Sequence, residues 1–152
     1  MVRMPVSILY RHEPEGYICP FCDIARGGNQ TTVIWRDDTS IAFLALHQPL
    51  NNHGSLLLCP LEHFENIYVL PEPIGAHLFG LSKRLALALK AALGCDGVTI
   101  RQHNEPAGSQ EVWHYHVHVV PRFANDRFYS ARLHLVSLEE RISLAELIRG
   151  SL

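Results

Sequence analysis

The segment from His114 to Val120 carries a histidine at every second position. Side chains of a β-strand alternate between its two faces, so this pattern predicts a strand with its three histidines on one face. Neighbouring histidines on that face would lie about 6.6–7 Å apart, at a rise of ~3.3 Å per residue. The residues that point the other way are predicted to enter a hydrophobic core: Trp113, Tyr115, Val117 and Val119.

The imidazoles of His114, His116 and His118 are poorly suited to plain packing, because each buried ring nitrogen needs a hydrogen-bond partner. Three interpretations follow. The histidines form a solvated polar face, they bind a metal, or one of them performs nucleophilic or acid–base chemistry near neutral pH. The regularity of the pattern favours the two chemical interpretations over the solvated face.

The composition is that of an ordinary globular protein, with 47% hydrophobic and 18% charged residues in 152 positions. This length predicts one domain over residues 1–152, with residues 1–16 as a loosely ordered N-terminal arm. The net charge of -2 argues against a nucleic-acid partner. The apolar stretch near the N-terminus is too short for a signal peptide or a membrane anchor, so we expect a cytoplasmic protein with reduced cysteines.

The order of elements predicts an antiparallel α+β domain. Strands are expected over residues 32–36, 40–46, 55–59 and 97–104, and a loop over residues 48–54. One long helix is expected between Pro71 and Gly94, because apolar residues recur there at steps of four and three. Two capping-box patterns, Ser137 to Glu140 and Ser143 to Glu146, precede a short final helix predicted over residues 144–149.

Cys19 and Cys22 form a Cys-Pro-Phe-Cys pair with the spacing of metal ligands. Two thiolates and two imidazoles would complete a tetrahedral structural zinc site, and His63 and His114 are candidates for the imidazoles. Three further histidines remain candidates at this point: His47, His53 and His103. The alternatives are two unpaired structural thiols, or a metal bound by the three alternating histidines themselves.

His116 is the best candidate for a nucleophile. A neutral imidazole attacks phosphorus through one nitrogen while the other nitrogen is held as N–H by an acceptor. The polar loop before the strand, residues 104–110, offers donors for phosphoryl oxygens, and charge stabilisation carries most of phosphoryl-transfer catalysis. The side chains proposed to surround the phosphate on these grounds are His118, Gln110, Ser109 and Asn104.

The motif His114-Tyr115-His116-Val117-His118-Val119-Val120 resembles that of the histidine triad (HIT) superfamily of nucleotide hydrolases and transferases. The likeness covers roughly residues 17–125. It extends to further segments: Asn104-Glu105, Gln110 to Trp113, Pro121-Arg122, Cys19 to Cys22, Asp37-Asp38, Ala42-Phe43 and Cys59 to His63.

The resemblance implies a five-stranded antiparallel sheet, usually paired into a homodimer, and a nucleotide as substrate. It implies His116 as the nucleophile toward the α-phosphate, with the backbone carbonyl of His114 holding its other nitrogen. Contacts to phosphoryl oxygens or to the leaving group are implied for His118, Asn104 and Gln110. Zinc-bearing bacterial relatives imply a Zn²⁺ site made of Cys19, Cys22, His63 and His114.

Several positions depart from the family pattern. Glu111 replaces the Ser or Thr that helps to protonate an amine leaving group, and we expect a cation such as Arg101 or Arg122 to offset its charge. Ser109 stands where a Gly is common. His47, beside Phe43 on the nucleotide side, or Ala45 replaces the usual ribose ligand.

The expected function is therefore a nucleotide hydrolase or nucleotidyl transferase with a covalent nucleotidyl-histidine. A phosphorylase would differ only in the second nucleophile. The alternative is a nucleotide- or partner-binding module with little turnover.

Overall fold

The computed structural model describes residues 5–152, so residues 1–4 of the predicted arm lie outside the described residues. Four α-helices are present: α1 (Val6–Leu9), α2 (Pro20–Ala25), α3 (Glu72–Leu93) and α4 (Leu138–Arg149). Seven strands accompany them: β1 (Val33–Arg36), β2 (Ser40–Leu44), β3 (His47–Pro49), β4 (Leu56–Pro60), β5 (Gly97–Gln102), β6 (Val117–Arg122) and β7 (Leu133–Leu135). No helix within residues 5–152 is both long and apolar enough to cross a bilayer.

The main sheet has five strands in the order β1-β2-β4-β6-β5, and every neighbouring pair is antiparallel. This arrangement confirms the predicted α+β class and the five-stranded sheet. Strand β6, which carries His118, lies between β4 and the edge strand β5. No tight turn joins β6 to either of its neighbours, β4 or β5. The strands beside His118 therefore come from distant parts of the chain.

The two faces of the sheet have different coverings because successive side chains alternate across it. Val117 and Val119 of β6 pack with Leu78, Leu85 and Leu89 of α3 in the larger hydrophobic core. The other face carries a smaller apolar cluster that joins α2 to β2 and β4: Cys19, Phe21, Ile41, Phe43, Ala45, Leu57 and Cys59. The predicted core residues Tyr115, Val117 and Val119 therefore lie on the α3 side, which leaves the opposite side free for the histidines.

Helix α3 has the expected bounds. It begins after Pro71 and ends at Gly94, whose φ of 60° permits the left-handed conformation that closes the helix. Helix α4, in contrast, begins six residues before the predicted start. Ser137 is its N-cap, and its hydroxyl accepts a hydrogen bond from the Glu140 amide (3.2 Å). The first of the two capping boxes therefore starts the helix, and the second lies inside it.

The histidine strand is shorter at its start than the alternation predicted. The ladder begins at Val117, and the amide of Tyr115 donates instead to the Phe64 carbonyl (2.6 Å). The predicted loop at 48–54 also needs correction, because residues 47–49 form β3 and pair with β7. Such short ribbons lack the alternating run by which a strand is recognised in a sequence.

The N-terminal segment, predicted to be loosely ordered, makes specific contacts near its end. The amides of His12 and Glu13 donate to the Glu65 carboxylate (2.5 and 3.0 Å). The Asn66 side chain donates to the Tyr10 carbonyl (3.1 Å). These bonds place residues 10–13 against the loop that follows β4.

Candidate active site and metal centre

A cavity of about 600 Å³ opens on the face of the sheet that does not carry α3. Its apolar wall comes from α2, β2, β4 and β6: Phe21, Ile24, Phe43, Leu57 and Val120. Its polar lining comes from β3, β5, β6 and the loop before β6: His47, Arg101, His103, Ser109, Glu111, His116 and His118. Six of the residues predicted to bind the substrate or to act in catalysis thus line one cavity: Phe43, His47, Ser109, Glu111, His116 and His118.

His116 is buried in the cavity wall and held by the backbone. Its Nδ1 donates a hydrogen bond to the His114 carbonyl (2.7 Å), which is an acceptor only. In the neutral ring this leaves Nε2 unprotonated, with its lone pair available. Burial lowers the pKa of His116, and the nearby His103 lowers it further, so the neutral form is favoured. The arrangement is the one that a histidine nucleophile needs.

His118 follows His116 along β6, with their ring centroids 5.0 Å apart. On its other side lies His103, 5.4 Å away between ring centroids. Burial lowers the pKa of His118 to about 3, and the neighbouring His116 and the charge of Arg101 contribute to this shift. His118 is therefore neutral at physiological pH and presents a polar ring beside His116.

Gln110 and Asn104, predicted to contact the phosphate or the leaving group, are not among the residues that line the cavity. The Gln110 side chain accepts from the Glu105 amide (2.9 Å) and donates to the carbonyls of Glu65 and Val112 (2.5 and 3.1 Å). Asn104 accepts from the Ile67 amide (2.8 Å) and donates to the Gln102 side chain (2.6 Å). Both amides are engaged in holding the loop itself.

That loop has an unusual backbone, with φ values of 64° at Glu105 and 68° at Ser109. Such conformations are unfavourable for residues with a side chain and persist only where the surroundings hold them. The hydrogen bonds of Gln110 supply this support, and Ser109 and Glu111 then line the cavity. Gln110 therefore acts on the site through the loop that it stabilises.

Glu111 is exposed at the cavity and forms no ion pair within residues 5–152. The expected pairing with Arg122 is not found, because Arg122 binds the buried Asp126 carboxylate (2.6 and 2.9 Å). Arg101 lines the same cavity but makes no salt bridge to Glu111. The charge of Glu111 is thus left to solvent.

Arg101 and His103 are site residues that the motif did not identify as such. Both belong to the face of β5 and its extension that looks into the cavity, since alternate residues share a face and Arg101 pairs with His118 across the sheet. The alternation of Thr99, Arg101 and His103 indicates that these residues share one face of a strand. Only the strand order places that face beside His118.

The four predicted metal ligands lie together beside the cavity. The ligand atoms of Cys19, Cys22, His63 and His114 are all within 4.8 Å of one another. The Cys19 sulfur is 3.3 Å from His114 Nδ1, and the Cys22 sulfur is 3.3 Å from His63 Nδ1. Cys19 caps α2, so the short helix fixes the spacing between the two sulfurs. A closed Cys₂His₂ set of this kind fits a tetrahedral zinc ion.

Outer contacts orient both imidazoles toward this centre. His114 donates through Nε2 to the Pro60 carbonyl (2.9 Å), and His63 donates through Nε2 to the Glu13 carboxylate (2.5 Å). Each Nδ1 is therefore the free nitrogen, as a metal ligand requires. Glu13 was not predicted from the sequence, since it lies in the segment without periodicity. Burial lowers the pKa of His114 to about 4 and, with the adjacent Cys19, raises the pKa of Cys22 to about 11.

Solved structures and curated sequences resemble this chain over most of its length. A histidine triad nucleotide-binding protein of Sulfolobus tokodaii, described as hypothetical, shares 27% identity over 88% of this chain and 91% of its own, with a TM-score of 0.77. A zinc-bound histidine triad family protein of Mycobacterium smegmatis has the same identity and coverage and a TM-score of 0.76. The adenylylsulfatase HINT3 of Arabidopsis thaliana is 28% identical over 82% of this chain and 64% of its own length.

The family assignment rests on the sequence match together with the geometry above. The family model described as HIT domain matches residues 26–125, which include β1 to β6, His63 and all three alternating histidines. The same strands and histidines build the cavity. The chain therefore belongs to the HIT domain family.

Proposed function

We propose that the chain is a nucleotide hydrolase or nucleotidyl transferase that works through a covalent nucleotidyl-His116. The observation that carries this proposal is the hydrogen bond from His116 Nδ1 to the His114 carbonyl, which leaves Nε2 free at the cavity. Similarity to a protein named as nucleotide-binding and to one named as an adenylylsulfatase supports a nucleotide as the substrate.

The reaction has two steps. In the first, the Nε2 lone pair of His116 attacks the α-phosphorus, a P–N bond forms, and the bond from phosphorus to the leaving group breaks with its electron pair on the leaving group. In the second, water attacks the same phosphorus, the P–N bond breaks, its electron pair returns to Nε2, and the proton lost by the water passes to solvent. Inorganic phosphate in place of water would make the enzyme a phosphorylase.

The cavity lining supports the placement of a nucleotide. Phe43, Ile24 and Leu57 form an apolar wall that suits a base, while His47 lies at the end where a ribose would be bound. Ser109, His118 and the N–H groups of the loop are then near the α-phosphate, where negative charge develops. Asn104 and Gln110 support this loop from behind it.

We further propose that Cys19, Cys22, His63 and His114 hold a structural Zn²⁺ ion. The ion would join α2 to the loop after β4 and to the segment that enters β6. A closed four-ligand site offers no position to a substrate, so the ion would supply rigidity and not reactivity. A homodimer and a cytoplasmic location remain expectations of the sequence.

A binding module with little turnover is the second candidate function. It is favoured by one observation, the unpaired carboxylate of Glu111 at the cavity. Two unit charges of like sign ~4 Å apart repel by about 4 kcal/mol at an effective dielectric of 20, which would weaken phosphate binding. Glu111→Ser should raise nucleotide affinity in either case, so turnover distinguishes the two: only the enzyme would release product.

The nucleophile is tested by His116→Ala. Turnover of every nucleotide substrate of the wild type should fall to background, because no other group can form the covalent intermediate. Rapid quenching of the wild type in alkaline denaturant, in which the P–N bond survives, should reveal by intact-mass measurement protein that carries one nucleotidyl group, and the variant should show none. His77→Ala, at an exposed position of α3, is the matched control and should behave as wild type. Substantial turnover by His116→Ala would exclude His116 as the nucleophile.

A further inference from the structure

Arg101 lies beside His118, the ring next to the proposed nucleophile, on the cavity side of the sheet. It pairs with His118 across β5 and β6, and with His118 and His116 it lines the cavity. His103, two residues further along, lines the cavity on the same side. The positive charge of Arg101 and the imidazole of His103 therefore border the part of the cavity next to His118, where we expect the leaving group to depart.

Arg101 has no partner of its own within residues 5–152. None of its N–H groups donates a hydrogen bond there, and its Nε is buried without any partner. The guanidinium lies over the Phe128 ring, 4.7 Å from the centroid. Stacking of this kind fixes the plane of the guanidinium and leaves its N–H edge available.

Arg122 provides an internal comparison, because its guanidinium also lies over Phe128, 4.4 Å from the centroid. Arg122 is fully engaged: it donates to both oxygens of Asp126 and to the Thr99 hydroxyl (2.8 Å). Two arginines thus contact one aromatic ring, and only the one that faces the cavity lacks a counter-charge. A partly buried cation without a partner is unfavourable unless a ligand supplies the anion.

We propose that Arg101, with His103 beside it, forms a subsite for a second anionic group of the substrate. The preferred substrates are then mixed anhydrides, in which the nucleotide α-phosphate is joined through oxygen to phosphate or sulfate. Conjugates with an uncharged amine are poorer substrates. This inference deepens the proposed function and rests on it for the identity of the reacting phosphate.

The chemistry of the first step agrees with such a substrate. When Nε2 of His116 bonds to the α-phosphorus, the bond to the bridging oxygen breaks and its electron pair stays on the departing phosphate or sulfate. The new negative charge develops at the bridging oxygen, where the Arg101 charge stabilises it. No proton has to be delivered to this leaving group, whereas a departing amine requires one.

The test compares three adenylyl substrates that differ only in the leaving group: adenosine 5′-phosphosulfate, ADP and an adenosine phosphoramidate of an uncharged amine. Arg101→Gln should lower kcat/KM for an anhydride at least about 10-fold and leave the phosphoramidate nearly unchanged, since a hydrogen bond to a charged group is lost only with the anhydride. Arg101→Lys should recover part of the loss. Lys83→Gln, exposed on α3, removes the same charge from the other face of the sheet and should have no effect.

The leaving groups also identify the anion. A loss with the phosphosulfate alone assigns the subsite to sulfate, a loss with ADP alone assigns it to phosphate, and a loss with both assigns it to either oxyanion. An equal loss with all three substrates would overturn the proposal, because Arg101 would then act on the α-phosphate or on the fold. No loss with any of them would overturn it as well.

Equilibrium binding separates this proposal from the proposed function. In His116→Ala protein, which does not consume its ligands, calorimetry should show that Arg101→Gln weakens ADP at least about 10-fold and leaves AMP unchanged. If ADP binding alone is weakened but the wild type turns over no nucleotide, the Arg101 subsite is retained and the proposed enzymatic function is rejected. Turnover through His116 with equal effects of Arg101→Gln on AMP and ADP would reject the subsite alone. Failure of both ligands to bind would overturn both.

Discussion

Burial lowers the pKa of three histidines of the cavity, His103, His116 and His118, and so favours their neutral forms. His118 has no acidic partner, and burial together with the positive charge of Arg101 opposes its protonation. The environment of His118 therefore has two consequences. It keeps a neutral ring beside the proposed nucleophile, and it makes the folded protein sensitive to acid, because an unfolded chain would protonate this ring freely.

The pH dependence of stability should reveal His118. Its pKa is about 3 in the folded protein and about 6.5 in an unfolded chain, so between these values the unfolded state binds more protons and stability falls as the pH falls. His118→Gln should remove this component. The unfolding free energy of the wild type should then decrease more steeply than that of the variant, by about 1 kcal/mol per pH unit below pH ~5.5. Urea titrations with saturating zinc measure this, and parallel pH profiles would contradict it.

Single residues also show where sequence analysis succeeds and fails. The alternation of His114, His116 and His118 is a local pattern, so all three could be named as candidate site residues before any fold was known. Gln110 was assigned to the phosphate because its amide suits such a contact. Its actual partners are backbone groups of the loop and of residue 65, which no sequence pattern identifies. Arg101 was missed as a site residue for the same reason, since its neighbour His118 is distant along the chain.

At the level of elements, the accuracy of prediction follows the strength of the local pattern. Helix α3 has a long apolar stripe, a proline start and a glycine stop, and its bounds were predicted closely. Strands β3 and β7 have three residues each and depend on one another, so neither could be predicted alone. Helix α4 offered two capping boxes, and the choice between them required its packing: Arg141 and Ala145 are buried, which extends the helix toward Ser137.

The N-terminal segment places one carboxylate, that of Glu13, beside the four predicted zinc ligands. Glu13 accepts from His63 and thereby orients a predicted zinc ligand, while its amide donates to Glu65. A segment without periodicity thus contributes to the metal centre through an outer contact.

Glu13→Gln should weaken zinc binding at least about 10-fold, because the neutral amide is a poorer acceptor for the His63 N–H and no longer increases the basicity of the ring. Competition with a chelator measures the affinity. Glu15→Gln is the matched control, since Glu15 is exposed and two residues away. If both variants bind zinc equally well, the contact of Glu13 with His63 does not contribute to the metal site.

For the molecule as a whole, the proposed metal centre would join segments that are far apart in the chain. Its ligands come from α2, from the loop after β4 and from the approach to β6, and its outer contact comes from the N-terminal segment. A bound ion would link these parts in the folded protein only. Its binding energy would therefore add to the free energy of unfolding.

Removal of the metal should therefore affect stability more than catalysis. Purified protein should contain about one zinc ion per chain, and Cys19→Ser/Cys22→Ser should contain none. The unfolding temperature of the double variant should fall by at least about 5 °C, while kcat falls less than tenfold. Elemental analysis and calorimetry measure these quantities. A full zinc content in the double variant would place the metal elsewhere.

His114 would serve the proposed metal centre with its ring, and its carbonyl oxygen accepts the hydrogen bond of His116, the proposed nucleophile. The ring belongs to histidine alone, but every amino acid has the same carbonyl. Mutation can therefore remove the thiols and the imidazole from a descendant of this chain and still leave the acceptor for His116 in place. Conversely, selection for the chemistry of His116 does not conserve the side chains of the metal ligands. The two features can be inherited and lost separately, although one residue belongs to both.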